Sequence, residues 1–139
     1  MEADRHPIDR WHDLVEHRDP SGLDDLLADD VVFRSPVVHT PQEGRAVTAG
    51  YLRAAFDVLL SGDFRYVRDI RGAHDVALEF VVELDGTHVN GVDLVHFDDD
   101  GRIDEFTVML RPLQAVELVH RLMGAQLERA ARPDPGTGP

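Results

Sequence analysis

A chain of 139 residues that is 42% hydrophobic is long enough to bury one core and too apolar for a disordered chain. Its 27 acidic against 14 basic residues give a net charge of −13, a field that repels phosphate backbones and anionic lipid and so argues against nucleic acid and membrane surfaces as partners. The absence of cysteine excludes disulfides and thiolate chemistry, and the polar segment Met1 to Arg10 and the lack of any apolar run near the roughly 20 residues of a membrane span make a cytoplasmic location the expectation.

Ile8, Trp11, Leu14 and Val15 recur at helical spacing, which predicts an amphipathic helix from about Pro7 to His17. Asp19-Pro20-Ser21-Gly22 breaks it, and a short helix follows with Leu23, Leu26 and Leu27 on one side and Ser21 as its cap. Val31-Val32-Phe33 starts a strand that Pro36 ends, and Thr40 to Gly44 reads as a loop. Val47, Tyr51, Leu52, Ala55, Phe56 and Leu59 predict a third helix, within which Gly50 marks a position of close packing.

From Phe64 the period changes to two. Phe64 to Ile70, Val76 to Leu84, His88 to Phe97 and Ile103 to Leu110 read as four strands. Asp85-Gly86 and Asp99-Asp100-Gly101 supply the turns between the later ones. A last helix runs from about Leu113 to Ala130, with Leu113, Val116, His120, Met123 and Leu127 along one stripe, and 132–139 is a Pro/Gly tail expected to be disordered. Helices gathered on one face of a curved antiparallel sheet make one α+β domain over 7–131, with no internal repeat.

The first hairpin fixes a register. With Asp85-Gly86 as a two-residue loop, Leu84 faces Thr87, Val82 faces Val89, Phe80 faces Gly91 and Leu78 faces Asp93. One face then carries Leu78, Phe80, Val82, Leu84, Val89, Val95 and Phe97, with Asp93 alone among them. An unpaired carboxylate there is costly and tends to hold a proton. Asp93 is therefore either a structural aspartate tied to a neighbouring polar group or a carboxyl lining a cavity. If the next turn leaves Asp98 opposite Arg102, Asp93 faces Thr107, and Glu105, Thr107, Met109 and Arg111 share its face. Phe106, Val108 and Leu110 then join Val92 and Leu94 on the opposite face, which calls for cover.

Two segments resemble the nuclear transport factor 2-like superfamily, the cone-shaped fold of the SnoaL-like polyketide cyclases and ketosteroid isomerases. They are Leu26-Leu27-Ala28-Asp29-Asp30-Val31-Val32-Phe33-Arg34-Ser35-Pro36 with Glu43-Gly44-Arg45-Ala46, and Gly91-Val92-Asp93-Leu94-Val95-His96-Phe97-Asp98-Asp99-Asp100-Gly101-Arg102-Ile103. Ketosteroid isomerases use an aspartate base with a tyrosine and a protonated aspartic acid as oxyanion hole. The resemblance puts Asp93 at the protonated acid and Trp11 at the tyrosine. Ser35 stands where the catalytic aspartate precedes the proline, so that base is absent. His39, three residues past Pro36, is the residue left as a candidate base against a plain surface role, and Tyr51 and Phe56 are expected in the cavity wall. The superfamily also implies a homodimer that covers the outer sheet face.

Competing chemistries lack their residues. His12 and Glu16 stand four apart on a helix, but no third metal ligand accompanies them. Ser21, Ser35 and Ser61 lack a nucleophile elbow, and no phosphate-binding or dinucleotide glycine loop is present. The expectation is a small-molecule site that needs no cofactor and no metal. Asp93 and His39 are its candidate catalytic residues, and Trp11, Ser35, Tyr51, Phe56, Thr107 and Met109 are its candidate ligand contacts. It serves either a SnoaL-like isomerase, cyclase or dehydratase acting on a hydrophobic carbonyl compound, or a non-catalytic apolar-ligand module or dimeric scaffold.

Overall fold

A computed structural model describes residues 5–131; the tail expected beyond Ala131 lies outside the described residues. Among the described residues the elements run α1 (Ile8–His17), a 3-10 turn (Pro20–Gly22), α2 (Leu23–Leu26), β1 (Leu27–Arg34), β2 (Gln42–Glu43), α3 (Arg45–Leu59), β3 (Arg65–Arg71), β4 (Asp75–Leu84), β5 (Thr87–Phe97), β6 (Ile103–Arg111) and α4 (Leu113–Ala131). The strands form one curved, open sheet in the order β2-β1-β6-β5-β4-β3, with the helices on its concave face. This is the expected α+β fold with three N-terminal helices and one at the C-terminus. The sheet is mixed, because β1 pairs β6 in parallel while the other neighbours are antiparallel.

Local departures have local causes. β1 begins at Leu27, four residues before the expected start, because Leu27 already pairs with Ile103. Ser21 does not cap α2, whose N-cap position is Gly22 with no side-chain cap; the Asp19 carboxylate instead caps the preceding 3-10 turn, accepting the Ser21 N–H at 3.0 Å. Gln42 and Glu43, expected in a loop, form the short edge strand against Phe33 and Val32. Gly50 marks no close contact, since a Cβ there would meet nothing within 4 Å.

The β4–β5 hairpin holds the expected register from Leu84↔Thr87 through Leu78↔Asp93. Asp85 and Gly86 both take positive φ, 48° and 78°, as a two-residue turn of this hand requires. The β5–β6 pairing corrects expectation. Asp98 does sit opposite Arg102, its N–H donating to the Arg102 carbonyl at 2.8 Å. Then Phe97 pairs Ile103 but His96 pairs Glu105, so Asp104 is an extra residue in a β-bulge. The bulge lets Ile103 and Phe106, three residues apart, both bury on the core side. Asp93 consequently faces Val108, not Thr107. Phe106, Val108 and Leu110 turn inward, while Glu105, Thr107, Met109 and Arg111 take the outer face, where Met109 is exposed.

Two apolar clusters fill the concave side. Ile8 and Trp11 of α1 and Leu52 and Phe56 of α3 pack on Leu78, Val95, Phe97 and Phe106. Ala115, Leu118 and Val119 of α4 pack on Phe80, Val82 and Val89. Phe64, Tyr66 and Val108 touch both clusters, and the site opens at that junction.

Candidate functional site

Asp93 is 6% exposed in the middle of β5, between Leu78 of β4 and Val108 of β6. Strand alternation aims its side chain at the concave face, because its neighbours Val92 and Leu94 point the other way. One oxygen is held: the Tyr66 hydroxyl donates to Asp93 Oδ2 at 2.8 Å. Tyr66 in turn accepts the indole N–H of Trp11 at 2.9 Å. The result is a directional relay, Trp11 to Tyr66 to Asp93, crossing from α1 through β3 to β5.

The aromatic surroundings fix this relay. Tyr66 packs edge-on against Phe64 at 5.1 Å and Phe80 at 6.3 Å, and Trp11 packs against Phe56 at 5.6 Å and Phe106 at 5.0 Å. A bulge at Val67 separates the inward Tyr66 from the outward Arg68. Burial pushes the Asp93 carboxyl up to about 7, against a smaller downward pull from the Tyr66 hydroxyl bound to it. Burial also raises Tyr66 well above the usual phenol range, and the neighbouring Asp93 charge adds to the rise. Tyr66 therefore stays a neutral donor. Among the described residues, nothing bonds to Asp93 Oδ1, and that oxygen is not sealed in.

Asp93 and Tyr66 border a pocket of about 190 Å³ between the sheet, α3 and α4. Its walls are overwhelmingly apolar, with Phe33, Phe56, Phe64 and Phe80 prominent. Besides the relay, the polar groups on the lining are Ser35, Tyr51 and His120. The Ser35 oxygen accepts the Val37 N–H at 3.1 Å, and its hydroxyl hydrogen has no acceptor among the described residues. Among the described residues, no group of three or more His, Asp or Glu side chains gathers as a metal site would need, and no helix is long and apolar enough to cross a membrane.

A SnoaL-like domain family matches residues 8–106, most of the chain. The chain belongs to the SnoaL-like domain family. Its structure superposes on a steroid delta-isomerase from Pseudomonas aeruginosa at a TM-score of 0.86 and 37% identity, covering 89% of this chain and 90% of that one. A conserved bacterial protein with a cystatin-like fold from Silicibacter pomeroyi aligns at 0.84 and 32% identity, covering 91% and 88%. The epoxide hydrolase/cyclase-like enzyme SalBIII of salinomycin pyran-ring formation shares the fold alone, at 0.61 and 18% identity over 76% of this chain and 88% of that one. No curated protein sequence matches the chain.

Within this SnoaL-like domain, Asp93, Trp11, Ser35, Tyr51 and Phe56 come together on one pocket. Trp11 does not present its N–H to the pocket, since Tyr66 takes it. His39 is exposed and stands apart from the lining. Thr107 and Met109 lie on the opposite side of the sheet, carried there by the bulge at Asp104. Among the polar lining residues, sequence reasoning missed two, Tyr66 and His120. Tyr66 was signalled only by being a phenol on an alternating strand, where a buried hydroxyl must find a partner. His120 was visible in the apolar stripe of the last helix, but nothing local shows that this stripe closes a pocket.

Proposed function

We propose that this SnoaL-like chain is an enzyme that binds a compact, mostly apolar carbonyl compound in the pocket and exchanges a proton next to that carbonyl. Isomerisation, cyclisation and dehydration all start from the resulting enol. Asp93 in its protonated form donates from Oδ1 to the carbonyl oxygen and strengthens that bond as negative charge develops there. A group poised near neutrality suits this work, because it holds its proton in a large share of molecules and releases it readily. Tyr66 and Trp11 hold the carboxyl in place. The observation that carries the reading is the buried Asp93 with one oxygen tied by Tyr66 and the other without a partner among the described residues, at an apolar pocket. The likeness at 37% identity to a steroid delta-isomerase supports the same class of chemistry. A cavity of ~150 Å³ holds benzene, so about 190 Å³ suits a single ring with short substituents.

Deuterium exchange tests this without knowledge of the natural product. The protein is incubated in D₂O with 2-tetralone or phenylacetone, and loss of the α-proton signal is followed by NMR. Wild type is expected to exchange the probe faster than buffer, and Asp93→Asn, whose amide can donate a hydrogen bond but gives up no proton to the oxygen, to lose on the order of 100-fold. Equal rates for the two proteins would remove Asp93 from the chemistry.

Ser35 at the position of the isomerase base favours a second reading, a pocket that binds and does not turn over. Quenching of Trp11 fluorescence by the same ketones, with no exchange above buffer, would select it. We also propose that Ile70, Leu94 and Met109, 57%, 39% and 51% exposed on the outer sheet face, are covered by a second copy of the chain. Gel filtration should then show twice the 15.6 kDa chain mass, and elution as a monomer at micromolar concentration would overturn it.

A further inference from the structure

Proton removal from carbon needs an acceptor as well as the Asp93 donor, and Ser35 is a poor one. The geometry points to His120 as the general base that partners Asp93 across the pocket, an assignment that rests on the proton-transfer reading above.

The argument is one of placement. α4 lines the pocket with His120, Met123, Gly124 and Leu127, spaced i, i+3, i+4 and i+7, so one stripe of the helix faces inward. His120 is the titratable member of that stripe. It is exposed, placing it at the mouth, whereas Asp93 lies deep. Among the described residues, no group bonds to its imidazole, so both nitrogens remain available for a ligand. One helical turn on, a Cβ at Gly124 would meet nothing within 4 Å, so the space beside the ring is unfilled. The other polar lining groups are less suited. Tyr66 is committed to Asp93, the Trp11 N–H to Tyr66, and the Ser35 oxygen to the Val37 N–H. Tyr51 offers a phenol, whose O–H serves as a hydrogen-bond donor. An imidazole accepts and returns a proton with equal facility.

The step balances with these two groups alone. A neutral His120 nitrogen takes the proton from the carbon beside the carbonyl. The C–H electron pair becomes the new C=C bond, and the carbonyl π pair moves onto oxygen, which takes the Asp93 proton. This leaves enol, imidazolium and carboxylate. Return of the imidazolium proton to a different carbon of a conjugated system, with the enol proton going back to Asp93, completes an isomerisation.

The test compares wild type, Asp93→Asn and His120→Ala for α-deuteration of 2-tetralone, with ketone binding read by quenching of Trp11, the single tryptophan. The expected result is a loss of about 100-fold in His120→Ala, as removal of a general base produces, with binding retained. Added imidazole is expected to restore part of the rate to His120→Ala and none to Asp93→Asn. Exchange by His120→Ala at the wild-type rate, with Asp93→Asn inactive, would overturn the role of His120 and leave the function proposal standing. A loss accompanied by failed binding, or one that imidazole does not repair, would assign His120 to shaping the mouth and also overturn it. No exchange by wild type would overturn both.

Discussion

Replacing Asp93 by asparagine is expected to change how stability depends on pH. The asparagine carbonyl accepts the Tyr66 hydroxyl in the same place, so packing is kept while the titration is removed. Burial raises the folded-state value of Asp93 from 3.8 to about 7. Below pH 3.8 the folded and unfolded chains both hold the proton, and the stability contributed by Asp93 is fully present. Between 3.8 and about 7 the unfolded chain gives up its proton first, so wild type loses stability relative to the variant. The loss runs at about 1.4 kcal/mol per pH unit. It levels off above about 7, where the whole shift from 3.8 amounts to on the order of 4 kcal/mol. Urea unfolding of both proteins by circular dichroism, at half-unit steps from pH 4 to 8.5, measures it. The offset at any one pH includes how the amide fits, so the slope is the diagnostic. A stability difference flat across that range would mean that Asp93 ionises as it would in water, and the proton-donor argument would fail.

Other perturbations have definite directions. Tyr66→Phe removes the hydrogen bond that lowers Asp93, so the alkaline limb of any pH–rate profile should move upward; a downward move would contradict the relay. The same change strands the Trp11 N–H and is expected to cost about 1–3 kcal/mol in unfolding free energy. Gly91→Ala would place a Cβ 2.3 Å from the Phe80 ring and 2.8 Å from Leu110. Calorimetry should then show a destabilisation of at least ~1–3 kcal/mol, and an unchanged melting temperature would mean that the sheet gives way there easily. Ser35→Asp installs a carboxylate on the lining, and in the His120→Ala background it is expected to raise the exchange rate, a gain that a pocket without catalytic geometry would not show.

The sequence by itself determined the helices, the long strands and the β4–β5 hairpin, because their signals are local: apolar periods of 3.6 and 2, and an Asp85-Gly86 pair able to take positive φ at both positions. That hairpin alone was enough to single out Asp93 on an apolar face. Tertiary structure decided the remainder of the site. The bulge at Asp104 turns Phe106 and Val108 inward and sends Thr107 and Met109 out, because burying Ile103 and Phe106 together outweighs a regular ladder. The apolar pair three apart, Ile103 and Phe106 around two acids, was the one trace of it in the chain. The bond from Tyr66 to Asp93 joins residues 27 apart, and that from Trp11 to Tyr66 residues 55 apart. His120 reaches the pocket only because α4 folds back over the sheet. Periodicity places a residue on a face of its own element, but which faces meet is settled by the packing of the whole core.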